Sequence, residues 1–250
     1  MTTRKVQNPN AKGGSGFLWA LLAIIAIAAL VIGLIVYNGR TQRSEALAEK
    51  MIPVEKLKVD YNEGDPYFTL TSTDGGDNAP SASLFEDFSC PHCADLAKKT
   101  DGDMLDKIQA GEISVALHPM TFLDGQGDKY QQGHSTRALA AEIALVAHQD
   151  IPAMWNLRAM LFEKQQSVYN KLDNNGLADQ ARDFGASKEA VQDIRDGKYL
   201  PVAEKMGKDN LDYQTEKTGE AYSPRVMRDD KDLIEGGGDL SSWVDELSSK

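Results

Sequence analysis

The only two cysteines of this 250-residue chain, Cys90 and Cys93, enclose Pro91 and His92 in a single C-x-x-C. Two thiols at that spacing can close a small, reversible disulfide ring, and with no third cysteine the chain can hold no other internal disulfide. The preceding segment, Ser83-Leu84-Phe85-Glu86-Asp87-Phe88-Ser89, reads as a buried strand entering a tight turn, and Ala94-Asp95-Leu96-Ala97 reads as the opening of a helix. Strand, C-x-x-C, helix is the setting that separates a redox motif from a chance pair. Unpaired N–H groups and the helix dipole favour negative charge at a helix N-terminus. Cys90 is therefore expected to be the acidic, exposed nucleophile, and Cys93, one turn further in, the shielded resolving thiol.

Other uses of the pair fit less well. A structural zinc site normally needs four Cys or His ligands, and His118, His134 and His148 are scattered without ligand spacing. A purely structural disulfide over so short a ring constrains the unfolded chain very little. The residues therefore point to thiol chemistry, with no metal and no cofactor.

The compartment follows from Phe17 to Tyr37, an uncharged apolar run. Its length matches the roughly 20 residues that a helix needs to cross the hydrocarbon core. Trp19 and Tyr37 sit near its ends, where amphipathic rings favour the membrane interface. Residues 1–16 carry Arg4, Lys5 and Lys12 and no acid, but Arg40, Arg43 and Lys50 nearly balance them beyond the run. Orientation thus rests on the shortness of the N-terminal tail and on the cysteines. Ala46-Leu47-Ala48 resembles a cleavage site, but it lies well past the apolar core, and the run exceeds the about 7–15 residues usual in a signal peptide. The expectation is an uncleaved single-pass anchor with a cytoplasmic tail and the catalytic domain outside the cell membrane. The net charge of −11 and the lack of a basic patch argue against nucleic acid as a partner.

The domain reading is a tail (1–16), an anchor (17–37), a charged stalk and linker (38–64) and one α/β domain (65–250). Pro66 to Ser72 alternates and ends at Gly75-Gly76, which predicts a strand and a turn. Ser81 to Phe88 is the next strand, followed by a helix from Pro91 to about Gln109 and a strand over Glu112 to Leu117. This is a βαβ unit with parallel pairing beside the cysteines. His118-Pro119 reads as a loop-forming pair. From His134 to about 219 the pattern is helical, with Met154, Trp155, Met160 and Phe162 at core spacing. Tyr222 to Met227 and Leu233-Ile234 read as short strands, and Asp239 can cap a last helix whose Trp243 packs onto the sheet.

The run Phe85-Glu86-Asp87-Phe88-Ser89-Cys90-Pro91-His92-Cys93 resembles the active-site segment of DsbA-like thiol–disulfide oxidoreductases, which have a thioredoxin fold. An N-terminal anchor together with a helical insertion, at about 134–219, makes the chain similar to their membrane-tethered actinobacterial members. The resemblance implies an oxidising centre, with Pro91 and His92 tuning Cys90, and a cis-proline after the insertion. In Tyr222-Ser223-Pro224-Arg225 that role falls to Pro224, with Ser223 flanking the substrate sulfur. Many relatives bury an acid six residues before the nucleophile, where this chain has Leu84. Glu86, on the same strand face, replaces it as a proton-transfer acid if it turns inward; otherwise it is a solvated acid.

The implied function is the introduction of disulfide bonds into exported cysteine-containing proteins, with reoxidation by a quinone-linked membrane protein of the DsbB or vitamin K epoxide reductase type. The alternatives are a disulfide reductase or isomerase at the same site, or a tethered chaperone or binding module without redox turnover.

Overall fold

The structure, a computed structural model, describes residues 19–33 and 51–249 except 63, 77, 236 and 237. The chain divides into two units, Met1–Lys50 and Met51–Lys250. In the first, residues 19–33 form a helix (α1) with exposed side chains. Among the described residues no helix is long and apolar enough to cross a membrane. The tail, the ends of the 17–37 run and the stalk up to residue 50 lie outside the described residues.

In the second unit, six strands form one sheet in the order β1-β2-β4-β3-β5-β6. They are β1 (Leu57–Asp60), β2 (Phe68–Ser72), β3 (Ser81–Asp87), β4 (Ser114–Met120), β5 (Arg225–Arg228) and β6 (Lys231–Asp232). The β3–β4 pair is parallel and the other neighbours are antiparallel. Helix α2 (Pro91–Gln109) is the crossover between β3 and β4. Its buried face, Cys93, Leu96, Ala97, Thr100, Met104 and Ile108, recurs at helical spacing and packs against the sheet. Between β4 and β5 come α3 (His134–Ala147), α4 (Ile151–Glu163), the single turn α5 (Gln165–Val168), α6 (Asn174–Asp183), α7 (Lys188–Arg195) and α8 (Leu200–Thr218). The helical insertion therefore occupies the predicted place, and the chain closes on α9 (Trp243–Ser248).

Both faces of the sheet are covered. The main core lies on the Leu84 face, together with the cysteines, α2, α3 and α4. A smaller core of Phe85, Met120 and Met227, with Leu211 and Tyr213 of α8, covers the other. Met154, Trp155, Met160 and Phe162 are all buried, as their helical spacing predicts. Helix α8 meets the chain after β4 so closely that a Cβ on Gly207 would lie 2.2 Å from Thr121 Oγ1. Only glycine permits that approach.

Three expectations need correction. The segment read as linker contains β1, whose Leu57 and Val59 are buried against β2; two apolar residues are too short a run to stand out. His118 and Pro119 lie inside β4, opposite Phe85 and Glu86 of β3. The β2–β4 pairing ends at Leu117, so Pro119 faces no partner on that side that needs its missing N–H. Asn210 accounts for the polar atoms there, bonding His118 Nδ1 at 2.9 Å and the Pro119 carbonyl at 2.7 Å. The terminal hairpin turns at Asp229-Asp230, both with positive φ, which places β6 at Lys231–Asp232 ahead of Leu233-Ile234. The last helix lies beside α2, with Trp243, Val244 and Leu247 buried in the main core.

Trp243, at 0% exposure, is among the largest fully buried side chains of the domain. Trp243→Ala is expected to cost about 3–5 kcal/mol of stability through the cavity it leaves, read as a lower denaturant midpoint with an unchanged slope.

Candidate functional site

Strand β3 delivers the cysteines to the C-terminal edge of the sheet. Its last residue, Asp87, accepts the Cys90 N–H at 2.9 Å, and that tight turn makes Cys90 the N-cap of α2, with Pro91 in the first turn where its missing N–H costs nothing. Cys93 follows one turn later, inside the main core. The described state is the dithiol.

The Cys90 side was expected to be open, and it is not. Cys90 is 5% exposed and Cys93 2%. Two segments from outside the motif close over the nucleophile. Gln165 of α5 donates to the carbonyls of Phe88 and Cys90, at 2.8 and 3.0 Å. Opposite it, Ser223 and Pro224 lie against the sulfurs. The Cys90 thiol donates to the Ser223 carbonyl at 3.3 Å, and Pro224 lines the same crevice as Cys93. The Ser223–Pro224 bond is cis. His92 is exposed, and its backbone N–H acts on the Cys90 sulfur.

The two thiols face opposite electrostatics. Cys90 is pulled down to about 5, first by the hydrogen bond from the Cys93 thiol and then, against burial, by the Cys93 N–H, the Ser223 side chain and the His92 N–H. Cys93 is pushed up by burial, then by its bond to Cys90 and by the charge that Cys90 carries. The Asp87 N–H donates to Cys93 Sγ at 3.4 Å. One sulfur is thus an anion at neutral pH and the other keeps its proton.

Glu86 is 4% exposed and turned inward, so the solvated alternative fails. It shares with Cys93 and Pro224 a crevice too narrow for a water molecule. Both of its oxygens are taken by Arg158, with Nε–Oε1 at 2.8 Å and Nη2–Oε2 at 2.6 Å. Arg158 is fully buried, bonds Asp101 of α2 through Nη1, and lies between the Trp155 and Phe162 rings at 5.3 and 5.1 Å. Burial raises Asp101 to about 6 against the pull of Arg158. Among the described residues no cluster of His, Cys, Asp and Glu is placed to hold a metal ion.

The structure therefore brings Cys90, Pro91, Cys93, Ser223, Pro224 and Glu86 together at one edge of the sheet. The partners that the motif does not announce, Gln165 and Arg158, come from the insertion, where each reads as one more polar residue in a helical stretch. A polar side chain at a position with core spacing, as Arg158 is between Trp155 and Phe162, is the one signal that could have found it.

The thiol asymmetry predicts how stability follows pH. The folded pKa of Cys90 lies below its unfolded value, so its contribution to the reduced form is complete above the ordinary thiol value of 9.0 and is lost as pH falls towards about 5. Cys93, shifted upward, titrates outside that window. Urea unfolding of the reduced and oxidised forms across this range is expected to show the reduced form losing ground as pH falls. A constant difference between the two would remove the buried-thiolate assignment.

The thioredoxin family profile matches residues 71–219. No curated protein matches the chain. Among solved structures, the MdbA protein of Corynebacterium matruchotii, a thiol-disulfide oxidoreductase, shares 32% identity over 83% of this chain and 98% of its own, with a TM-score of 0.73. The MdbA protein of Corynebacterium diphtheriae, also a thiol-disulfide oxidoreductase, shares 35% over 77% and 95%, with a TM-score of 0.70. MdbA of Actinomyces oris, at 17% identity over 72% and 86% and a TM-score of 0.55, shares the fold. By the span of the family match, these two higher identities and its Cys90–Cys93 centre, the chain belongs to the thioredoxin family as a thiol–disulfide oxidoreductase of the DsbA type.

Proposed function

We propose that the enzyme works as an oxidase, introducing disulfide bonds into exported proteins from a domain tethered outside the cell membrane. The observation that carries the direction is the depressed pKa of Cys90 beside the raised pKa of Cys93. A centre whose reduced form is held as a stable thiolate gives up its disulfide readily, which is what an oxidant requires.

In the first step a substrate thiolate attacks Cys90 Sγ of the Cys90–Cys93 disulfide. A substrate–Cys90 bond forms, the Cys90–Cys93 bond breaks, and Cys93 leaves and takes up a proton, as its raised pKa favours. A second substrate thiolate then attacks the substrate sulfur of the mixed disulfide, and Cys90 leaves as the stabilised thiolate. Two electrons pass to the enzyme. A quinone-linked membrane protein of the DsbB or vitamin K epoxide reductase type returns the dithiol to the disulfide; the family resemblance supports that partner.

Substrate access fits an extended, unfolded segment. Leu123, Tyr169 and Tyr222 are three of the few large apolar side chains that the described part of the domain exposes, at 45, 45 and 41%. Each is tied to the site: the Leu123 N–H bonds Asp87, Tyr169 follows the α5 turn that holds Gln165, and Tyr222 precedes Ser223. The apolar run 17–37 supports the anchor, which would present this surface to proteins emerging across the membrane.

Trapping in cells tests the reading. Cys93→Ala is expected to accumulate mixed disulfides with exported proteins on non-reducing gels, because the thiol that frees Cys90 is gone, while Cys90→Ala accumulates almost none. Equal trapping by both variants would overturn the roles. Trapped partners that are cytoplasmic would overturn the location, and a glutathione equilibrium in the range of thioredoxin would turn the reading towards a reductase.

A further inference from the structure

Asp87, three residues before the nucleophile, is 0% exposed, and its carboxylate joins three elements of the site. Oδ1 accepts from the Ser89 N–H at 2.9 Å and from the Ser135 hydroxyl of α3 at 2.5 Å. Oδ2 accepts from the Leu123 N–H at 3.2 Å. The Ser135 oxygen lies 2.6 Å from Ser89 Oγ. Because Ser135 gives its proton to Asp87, the proton between the serines belongs to Ser89. The two hydroxyls thus form a chain, Ser89 to Ser135 to Asp87, that runs from the half-buried neighbour of Cys90 into the core. The backbone of Asp87 completes the connection by accepting the Cys90 N–H and donating to Cys93 Sγ.

Three donors facing the carboxyl favour its charged form, and full burial opposes it. The ionisable group that acts on it is Asp124, from the turn after β4, and Cys93 Sγ meets its backbone N–H. Asp124 is itself anchored to the start of α3, accepting from the N–H groups of Gly133, Ser135 and Thr136. Its charge adds to burial, and together they lift Asp87 to about 7.

We propose that Asp87 is a positioning residue for Cys90, and that its protonation reverses the Ser135–Ser89 hydroxyl chain and so changes the reactivity of the nucleophile with pH. A protonated Asp87 must donate, and the only partners that can turn to accept are hydroxyls. Ser135 then accepts from Asp87 and donates to Ser89, whose own proton is released towards the surface beside Cys90. With Asp87 ionised, both hydroxyls point inward and the turn is held from three sides. The inference rests on Cys90 being the nucleophile.

The test is the rate at which the reduced full-length chain is alkylated by iodoacetamide, measured from pH 4 to 9. The wild type is expected to rise in two steps. The first, near pH 5, follows the Cys90 thiolate. The second, near pH 7, is a further change of roughly threefold, the scale of one altered hydrogen bond. Asp87→Asn should keep the first step and lose the second. Ser135→Ala, which removes only the hydroxyl link, should do the same and serves if Asp87→Asn does not fold. Ser135→Thr keeps the hydroxyl and should restore the second step. A wild type with only the first step, or variants that retain both, would overturn the proposal and leave the nucleophile in place. Absence of the first step in every form would overturn the nucleophile assignment and this proposal with it.

Discussion

Two consecutive acids close a strand that is buried on both faces, and much of the site answers that constraint. Glu86 and Asp87 alternate in direction, so neither escapes to solvent. An unpaired buried carboxylate costs several kcal/mol or loses its charge. Each acid is met by a different part of the insertion. Arg158 of α4 takes both oxygens of Glu86 and reaches Asp101 on α2, while Ser135 of α3 and the turn at Leu123 meet Asp87. The insertion is therefore part of the catalytic scaffold as well as its cover. Removing Arg158 alone would leave Glu86 buried and unpaired beside Cys93, a far worse state than replacing the cluster with apolar groups.

The same logic of selective burial separates the thiols. Both cysteines are nearly inaccessible, so exposure does not distinguish them. What differs is the number of donors each meets. Cys90 stands at the helix start with the N–H groups of His92 and Cys93 and the Cys93 thiol turned towards it. Cys93 stands one turn later, where helical N–H groups are already committed and burial dominates. The difference is stored in backbone that the Asp87–Cys90 turn fixes. Glu142 of α3 shows the alternative outcome of burial: with both oxygens unpartnered, it is pushed up to about 8, beside the charges of Glu86 and Arg158.

What could be read from the chain was what depends on near neighbours. Strand, turn, cysteines and helix are consecutive, and so are the long helical block and the Tyr222-Ser223-Pro224 segment that follows it. What could not be read depends on distant partners. His118-Pro119 looks like a loop because proline removes a ladder donor, and only the early end of the β2–β4 pairing makes it harmless. The direction of Glu86 was open because its partner stands 72 positions away. Cys90 was expected to be open because nothing near the motif covers it; Gln165 and Ser223 arrive from 75 and 133 positions away. Strand β1 was missed for a simpler reason, since Leu57-Lys58-Val59-Asp60 is too short to rise above its charged surroundings.

The Ser223–Pro224 segment shows how one residue can serve both ends of a redox cycle. With Cys90 as a thiol, its proton goes to the Ser223 carbonyl, and the Ser223 hydroxyl is buried without a partner. An unsatisfied buried hydroxyl is a standing cost. Once Cys90 ionises, the carbonyl contact loses its proton and the hydroxyl gains an anion to donate to, so the cost is relieved in the form that leaves the mixed disulfide. Proline at the next position leaves one N–H fewer to satisfy in that crevice. A segment built this way favours the thiolate over the thiol at the nucleophile, and it does so with neutral groups, in a domain whose formal charge is strongly negative.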